Sequence, residues 1–214
     1  MLNIYCADYS TLNSKKSEDI FILRKNIFKD RLQWAVNCTD GMEIDEFDNE
    51  NTKYIYGEKD EKIICGSRII EMRNRNMLVD TFSSFFNKVE IPEGNYIEST
   101  RFFVDKKRAK TLAGPRFPVT KVLFMALINF ARQHHYDGII AVASHPMMQI
   151  IKNSGWRISL LETGQSEKDE PVYLVLGHVD DESLHTLKTR IIGEDSSLND
   201  DILNRWPLSE DAFY

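Results

Sequence analysis

Apolar positions recur along this chain with two periods, one helical and one alternating, and the switches between them outline the fold. Ile20, Leu23, Ile27 and Phe28 follow helical spacing, with Leu32 a turn later. Ser17 stands where a cap belongs, with Glu18 and Asp19 in the first turn, which predicts a helix from Ser17 towards Leu32. Lys53–Gly57 and Ile63–Met72 read as a hairpin with its turn at Glu58–Lys62. Tyr96–Val104 reads as a buried strand, rich in β-formers and free of Gly and Pro. Val119, Val122, Leu123, Ala126, Leu127 and Phe130 carry the clearest helical pattern, which stops near Tyr136-Asp137-Gly138. Gly138–Ser144 is a short buried strand, and Pro146 and Gly155 suit the first position and the end of a further helix. Trp156–Leu161 and Val172–Val179 are two more strands. Asn74–Asn87, with Phe82, Phe85 and Phe86, is a packed segment without a clear period, and Thr111–Pro118 a loop. Beyond about residue 180 the chain turns polar and acidic, and a partly ordered tail is expected. The sum is an α/β fold: a single domain over 1–214 with a mixed central sheet flanked by helices.

Several charges interrupt these apolar elements. Glu98 and Arg101 sit inside the strand at 96–104, Arg24 inside the first helix and Arg68 inside the hairpin. Asp45 and Asp48 belong to an acidic stretch with Asp40, Glu43 and Glu46. The glycine and closing glutamate of a calcium loop are missing there, so it reads as a carboxylate wall for arginines or a cationic substrate. Buried ions are costly alone, so these charges form either a structural ion-pair network or the lining of a polar site. Strict alternation puts 98 and 101 on opposite faces; a bulge near Ser99 or Thr100 would bring them together.

Composition narrows the class. Hydrophobic residues at 42% and charged ones at 28% suit a soluble globular protein. No apolar run is long enough to span a bilayer, and the first residues lack a secretory pattern, so no stable membrane association is expected. Three scattered cysteines without a Cys-x-x-Cys argue against disulfides and a structural metal, and fit a reducing cytoplasm. The net charge of −6 hides an asymmetry: Arg101–Lys121 holds seven basic residues against one acid. A basic patch on an acidic protein is either a solvated face or a landing site for an acidic partner, and does not point to nucleic acid.

No Gly-x-Ser-x-Gly, Walker or Rossmann glycine pattern is present. His134-His135 ends a helix, where it caps carbonyls. The element order with a polar central strand suggests an acetyltransferase-like (GNAT-like) fold. Enzymes of that type cradle CoA pyrophosphate on a glycine-rich loop before the following helix. Here that place, Arg108–Pro118, holds one glycine and two prolines, which makes CoA a poor donor candidate.

Short motifs in order then carry a resemblance: Arg24-x3-Phe28, Arg31-Leu32-x-Trp34, Glu43-x-Asp45-x2-Asp48, Arg68, Glu98-Ser99-Thr100-Arg101-Phe102, Ser144, Gly155-Trp156 and Trp206-Pro207. The chain resembles the LuxI-type acyl-homoserine-lactone synthases. That resemblance implies acyl transfer from acyl-carrier protein to the amine of S-adenosyl-L-methionine, then lactonisation with loss of 5′-methylthioadenosine. S-adenosyl-L-methionine is a substrate, and no cofactor or metal is implied. Glu98, Ser99 and Arg101 become the expected catalytic group, with Glu98 as base. Arg24, Phe28, Trp34, Asp45, Asp48, Arg68, Phe102 and Phe103 become substrate-binding. Phe28 and Trp34 offer faces to adenine or the sulfonium, or else close the core of the N-terminal cap. The acyl pocket implied is Met77, Phe82, Phe124, Leu127, Ala141, Ala143, Ser144, Ile151 and Trp156. A methyl rather than a hydroxyl at Ala141 leans towards an unsubstituted chain, while Ser144 keeps a 3-oxo chain open. Lys106, Lys107, Arg108, Lys110 and Arg116 become the carrier-protein docking residues. The alternatives are a CoA-dependent N-acyltransferase of the same fold and a non-catalytic ligand sensor.

Overall fold

The computed structural model describes residues 1–209. Strand β1 (Asn3–Asp8) leads into helix α1 (Ser14–Arg24), which continues as a wider π-helix over Lys25–Arg31. The cap is Asn13, whose Oδ1 accepts the Lys16 N–H at 3.0 Å, so the helix starts earlier than Ser17. The change to π winding buries Ile27 and Phe28 together and leaves Leu32 exposed. A small ribbon of β2 (Cys38–Thr39) and β3 (Met42–Glu43) follows. The hairpin is β4 (Thr52–Lys59) and β5 (Lys62–Glu71), and the central strand is β6 (Tyr96–Val104). The short α2 (Lys106–Arg108), capped by Asp105, and a π turn over Ala109–Ala113 occupy the start of the expected loop. Then come α3 (Val119–Gln133), β7 (Gly138–Ser144), α4 (His145–Ser154), β8 (Ile158–Gln165) and β9 (Pro171–His178).

The residues expected to be a tail are structured. They form α5 (Asp181–Glu194), α6 (Asp200–Arg205) and β10 (Leu208–Ser209). Their acids cluster in first turns, Asp181 and Glu182 on α5 and Asp200 and Asp201 on α6, where they favour the helix dipole. The sparse apolar residues between, Leu187, Ile191, Leu198, Leu203 and Trp206, are all buried in the core. An acidic average therefore concealed two amphipathic helices.

Eight strands form one mixed sheet in the order β10-β1-β4-β5-β6-β7-β9-β8. β6 runs parallel to β7, and β10 parallel to β1; the other neighbours are antiparallel. Helices α3 to α6 cover one face over the main core. The N-terminal helix and the segment from Met77 to Phe86 cover the other. No helix among the described residues is long and apolar enough to cross a membrane.

Asn129, in the middle of α3, ties the C-terminal segment to the core. Its Nδ2 donates to the carbonyls of Leu203 at 3.0 Å and Trp206 at 2.8 Å. Asn129→Ala would strand both acceptors, and a loss of about 1–3 kcal/mol of stability is expected from the urea midpoint.

Candidate active site

The site begins with one extra residue. On β5 the pairing steps from Gly66 to Arg68, while on β6 it steps from Phe103 to Thr100. The surplus falls at Arg101–Phe102, and Arg101 takes the left-handed conformation with φ 51°. A bulge near Ser99 or Thr100 was the condition for bringing 98 and 101 together; the bulge present lies slightly further along, at Arg101–Phe102. It keeps Glu98, Thr100, Arg101 and Phe103 on the side of the N-terminal cap. Phe102 turns to the opposite side, where its ring lies 4.9 Å from Phe124.

The partner strand then departs. β6 pairs with β7 only over Tyr96–Glu98 against Gly138–Ile140. Beyond that point β6 stays with β5 and β7 with β9, so a cleft opens between them with Glu98 at its apex. Glu98 is 1% exposed. Its Oε2 accepts the Met77 N–H at 3.0 Å and its Oε1 the Leu78 N–H at 2.7 Å. Burial pushes its carboxyl up to about 7, against the pull of those two N–H groups and of the more distant Arg68 and Arg101. Arg68 and Arg101 act on it only at longer range.

They are held instead by the acidic stretch. Arg24 donates to Glu43 at 2.5 Å and, with two nitrogens, to Asp48 at 2.7 and 2.9 Å. Arg68 reaches Asp48 at 2.8 Å, Asp45 at 2.5 Å and the Thr100 hydroxyl at 3.1 Å. Arg101 reaches Glu43 at 3.0 Å and Asp45 at 2.9 Å. Three guanidiniums thus meet three carboxylates. Burial alone would raise the Asp48 carboxyl, yet Arg24 and Arg68 outweigh it and hold it well below the usual range. Among the described residues, the remaining Arg101 nitrogen, Nη1, finds the Met77 thioether at 3.5 Å, a weak acceptor. Phe28 stacks on Trp34 at 5.1 Å and lies 5.7 Å beneath the Arg101 guanidinium. Ser99 does not face this network; its hydroxyl is 2.8 Å from that of Ser67.

Glu43, Tyr54 and Thr100 join the network beyond the residues the sequence singles out for the site. Glu43 is fully buried, and its place in the Glu-x-Asp-x2-Asp motif was the available signal. Tyr54 donates to Asp48 at 2.6 Å. The N–H groups of Met77 and Leu78 had no sequence signal, because any residue supplies one.

The residues assigned to an acyl pocket divide between the two sides of the sheet. Met77 and Phe82 pack with Phe47 and Ile70 on the side of Glu98. Phe124, Leu127, Ala143, Ile151 and Trp156 belong to the core on the other. Ala141 and Ser144 are half-buried on β7. Phe103 is enclosed in the cap core with Tyr54 and Tyr56. Of the basic residues, Lys106, Lys107, Lys110 and Arg116 are exposed. Arg108 is not free: its Nη1 donates to both Asp19 oxygens, at 2.9 and 2.7 Å, and to the Ile63 carbonyl at 2.8 Å. A groove of about 510 Å³, lined by Val104, Lys106, Lys110, Phe117 and Val119 among others, runs beside these lysines. No group of three or more His, Cys, Asp or Glu among the described residues is arranged to hold a metal ion. Burial pushes the Cys65 thiol up to about 12, which makes it unreactive.

The sequence profile of the autoinducer synthases matches residues 8–187. A Dickeya chrysanthemi acyl-homoserine-lactone synthase is 52% identical over 191 residues, covering 89% of this chain and 90% of that one. One from Pectobacterium carotovorum subsp. carotovorum is 49% identical over 208 residues, 97% and 96% of the two chains. Among solved structures, the AHL synthase LasI superposes with a TM-score of 0.78 at 20% identity, covering 88% of this chain and 95% of that one. BjaI, a CoA-dependent acyl-homoserine lactone synthase with SAM and isopentyl-CoA, gives 0.75 at 19%, covering 89% and 90%. These two likenesses show the shared fold.

The ion network makes a stability prediction. A carboxyl held low in the folded state contributes stability that is complete above the ordinary carboxylate range and is lost as pH falls below it. Asp48→Asn should therefore cost about 3–5 kcal/mol at neutral pH, by leaving Arg24 and Arg68 underpaired in the interior. Urea unfolding across a pH series should show the gap to wild type narrowing in acid.

Proposed function

The chain belongs to the autoinducer synthase family and is an acyl-homoserine-lactone synthase, an acyltransferase; on that premise we propose that its acyl donor is acyl-[acyl-carrier protein] and that Glu98 is the general base. The observation that carries the second part is the position of Glu98: buried at the apex of the cleft, with a carboxyl that titrates near neutral pH.

The amine of S-adenosyl-L-methionine attacks the acyl thioester carbonyl, and its proton passes to Glu98 directly or through one water. The two backbone N–H bonds fix both carboxylate oxygens in place. Beyond Glu98 the β6 backbone has no β7 partner, so a free N–H on that edge can receive the developing oxyanion. Collapse expels the carrier thiol and leaves an amide. The substrate carboxylate then attacks its own γ-carbon; the C–S bond breaks, and the sulfonium leaves as neutral 5′-methylthioadenosine. The protein's part in that step is to hold the chain folded for ring closure. Arg101 Nη1, poorly satisfied by a thioether, is suited to the substrate carboxylate, and the Phe28–Trp34 stack to adenine or the sulfonium.

Two features support the carrier protein as donor. Lys106, Lys107, Lys110 and Arg116 present positive charge to an acidic partner. The groove of about 510 Å³ beside Lys106 and Lys110 is a place on this face for the donor's thioester arm.

Glu98→Gln is expected to slow single-turnover acylation by about 10²–10⁴-fold and to remove the limb of the rate profile that titrates near pH 7; an unchanged rate refutes the base role. For the donor, Lys110→Glu and added salt should each raise KM for acyl-carrier protein while leaving KM for S-adenosyl-L-methionine nearly constant, since exposed charges are screened over roughly 10 Å at 0.1 M. Turnover with acyl-CoA matching that with the carrier protein would refute the donor assignment.

A further inference from the structure

Asn76 is a buried polar residue, 2% exposed, whose side chain bonds within its own turn. Its Nδ2 donates to the Asn74 carbonyl at 2.9 Å and the Met72 carbonyl at 3.2 Å. Its Oδ1 accepts the Val79 N–H at 3.1 Å. One short amide therefore ties together three positions between 72 and 79. The start of this turn is fastened to the central strand, where the Met72 N–H donates to the Tyr96 carbonyl at 3.0 Å.

The helical turn that begins at Met77 and winds on through Leu78–Phe82 opens with N–H groups that have no carbonyl of their own turn to meet. The Val79 N–H goes to Asn76 Oδ1 and the Asp80 N–H to the Asn76 carbonyl, each at 3.1 Å. The Met77 and Leu78 N–H groups are left for Glu98, whose two oxygens they meet at 3.0 and 2.7 Å. Asparagine suits this position because it both donates and accepts. A serine hydroxyl could take the Val79 N–H but donate only one bond, and an aspartate would set an anion against two carbonyls.

We propose that Asn76 is a positioning residue for the acyl transfer: it shapes the turn that aims two backbone N–H groups at the Glu98 carboxylate. This rests on the reading of Glu98 as the general base. Asn76 touches no reacting atom and acts through Met77 and Leu78. Burial lifts the Glu98 carboxyl, and the two N–H groups, with Arg68 and Arg101 farther off, draw it back. Those two arginines are held by Glu43, Asp45 and Asp48, and Asp48 is shared with Arg24 and Tyr54. In the sheet Glu98 stands between Ile70 on β5 and Ile140 on β7, both apolar. On the turn itself the charges pair locally, Arg73 with Glu71 and Arg75 with Asp80. The N–H groups are the part of this balance that Asn76 governs. Loosening the turn favours the protonated acid, so the rate limb belonging to Glu98 moves to higher pH.

The test uses the full-length enzyme in single-turnover acylation of S-adenosyl-L-methionine across pH, with acyl-carrier protein and acyl-CoA each offered as donor. Asn76→Ala should move the limb upward by about one pH unit, the size expected when hydrogen bonds to a charged group are lost. Asn76→Ser, which keeps an acceptor for the Val79 N–H, should move it less. A uniform fall in rate with the limb at its wild-type position overturns the proposal and marks Asn76 as purely structural. In the wild-type protein, the Met77 and Leu78 amide resonances and the Asn76 side-chain amide should titrate with one common midpoint by NMR. An Asn76 amide that does not move with the other two overturns the proposal even if neither variant folds. Glu98→Gln separates the two readings. If it leaves acylation unchanged, the base role fails; if it removes the limb while both Asn76 variants keep the wild-type midpoint, the positioning role alone fails.

Discussion

Three guanidiniums and three carboxylates share one buried space, and the N-terminal half of the structure is arranged around keeping them neutral in sum. Arg24 comes from the first helix, Arg68 from the hairpin and Arg101 from the central strand; Glu43, Asp45 and Asp48 come from one short stretch. Desolvating an ion costs several kcal/mol, so no member tolerates the loss of its partner. Glu98 lies near this balance but outside it. Having only backbone donors and no contacting cation, it stays buried with a carboxyl that titrates near neutral pH. The network therefore sets Glu98 apart: the three arginines pair with Glu43, Asp45 and Asp48 and leave it to backbone donors.

Backbone geometry converts this electrostatic arrangement into a site. The bulge at Arg101 gathers Glu98, Thr100 and Arg101 on the cap side while sending Phe102 to the other. The departure of β7 after Ile140 leaves an unpaired strand edge beside Glu98. Polar chemistry thus occupies one side of the sheet, and the Phe102–Phe124 contact the other.

Much was legible in the sequence because it was local. Periodicity gave the hairpin, the central strand, α3 and β7 nearly to the residue, since apolar spacing reports the face that packs. Charges on apolar elements marked Arg24, Arg68, Glu98 and Arg101, since buried ions are rare without purpose. Composition misled where charge is averaged over a segment. The chain after residue 180 reads as an acidic tail, yet its acids fill the first turns of α5 and α6, and Leu187, Ile191 and Leu203 lie in the core.

The sequence by itself determined which ionisable groups must find partners, and that 98 and 101 share a face only if their strand bulges. Only the tertiary structure decided who pairs with whom. Glu98 is held by the N–H groups of Met77 and Leu78, which every sequence supplies and no sequence advertises. Arg108, one of five basic residues in the docking group, is drawn into an ion pair with Asp19, far away in the chain. The assigned acyl-pocket residues fall on both sides of the sheet because strand parity, helix rotation and the splay of β6 from β7 are set together. Spacing along a chain fixes a residue's face on its own element; where that face points depends on every other element packed against it.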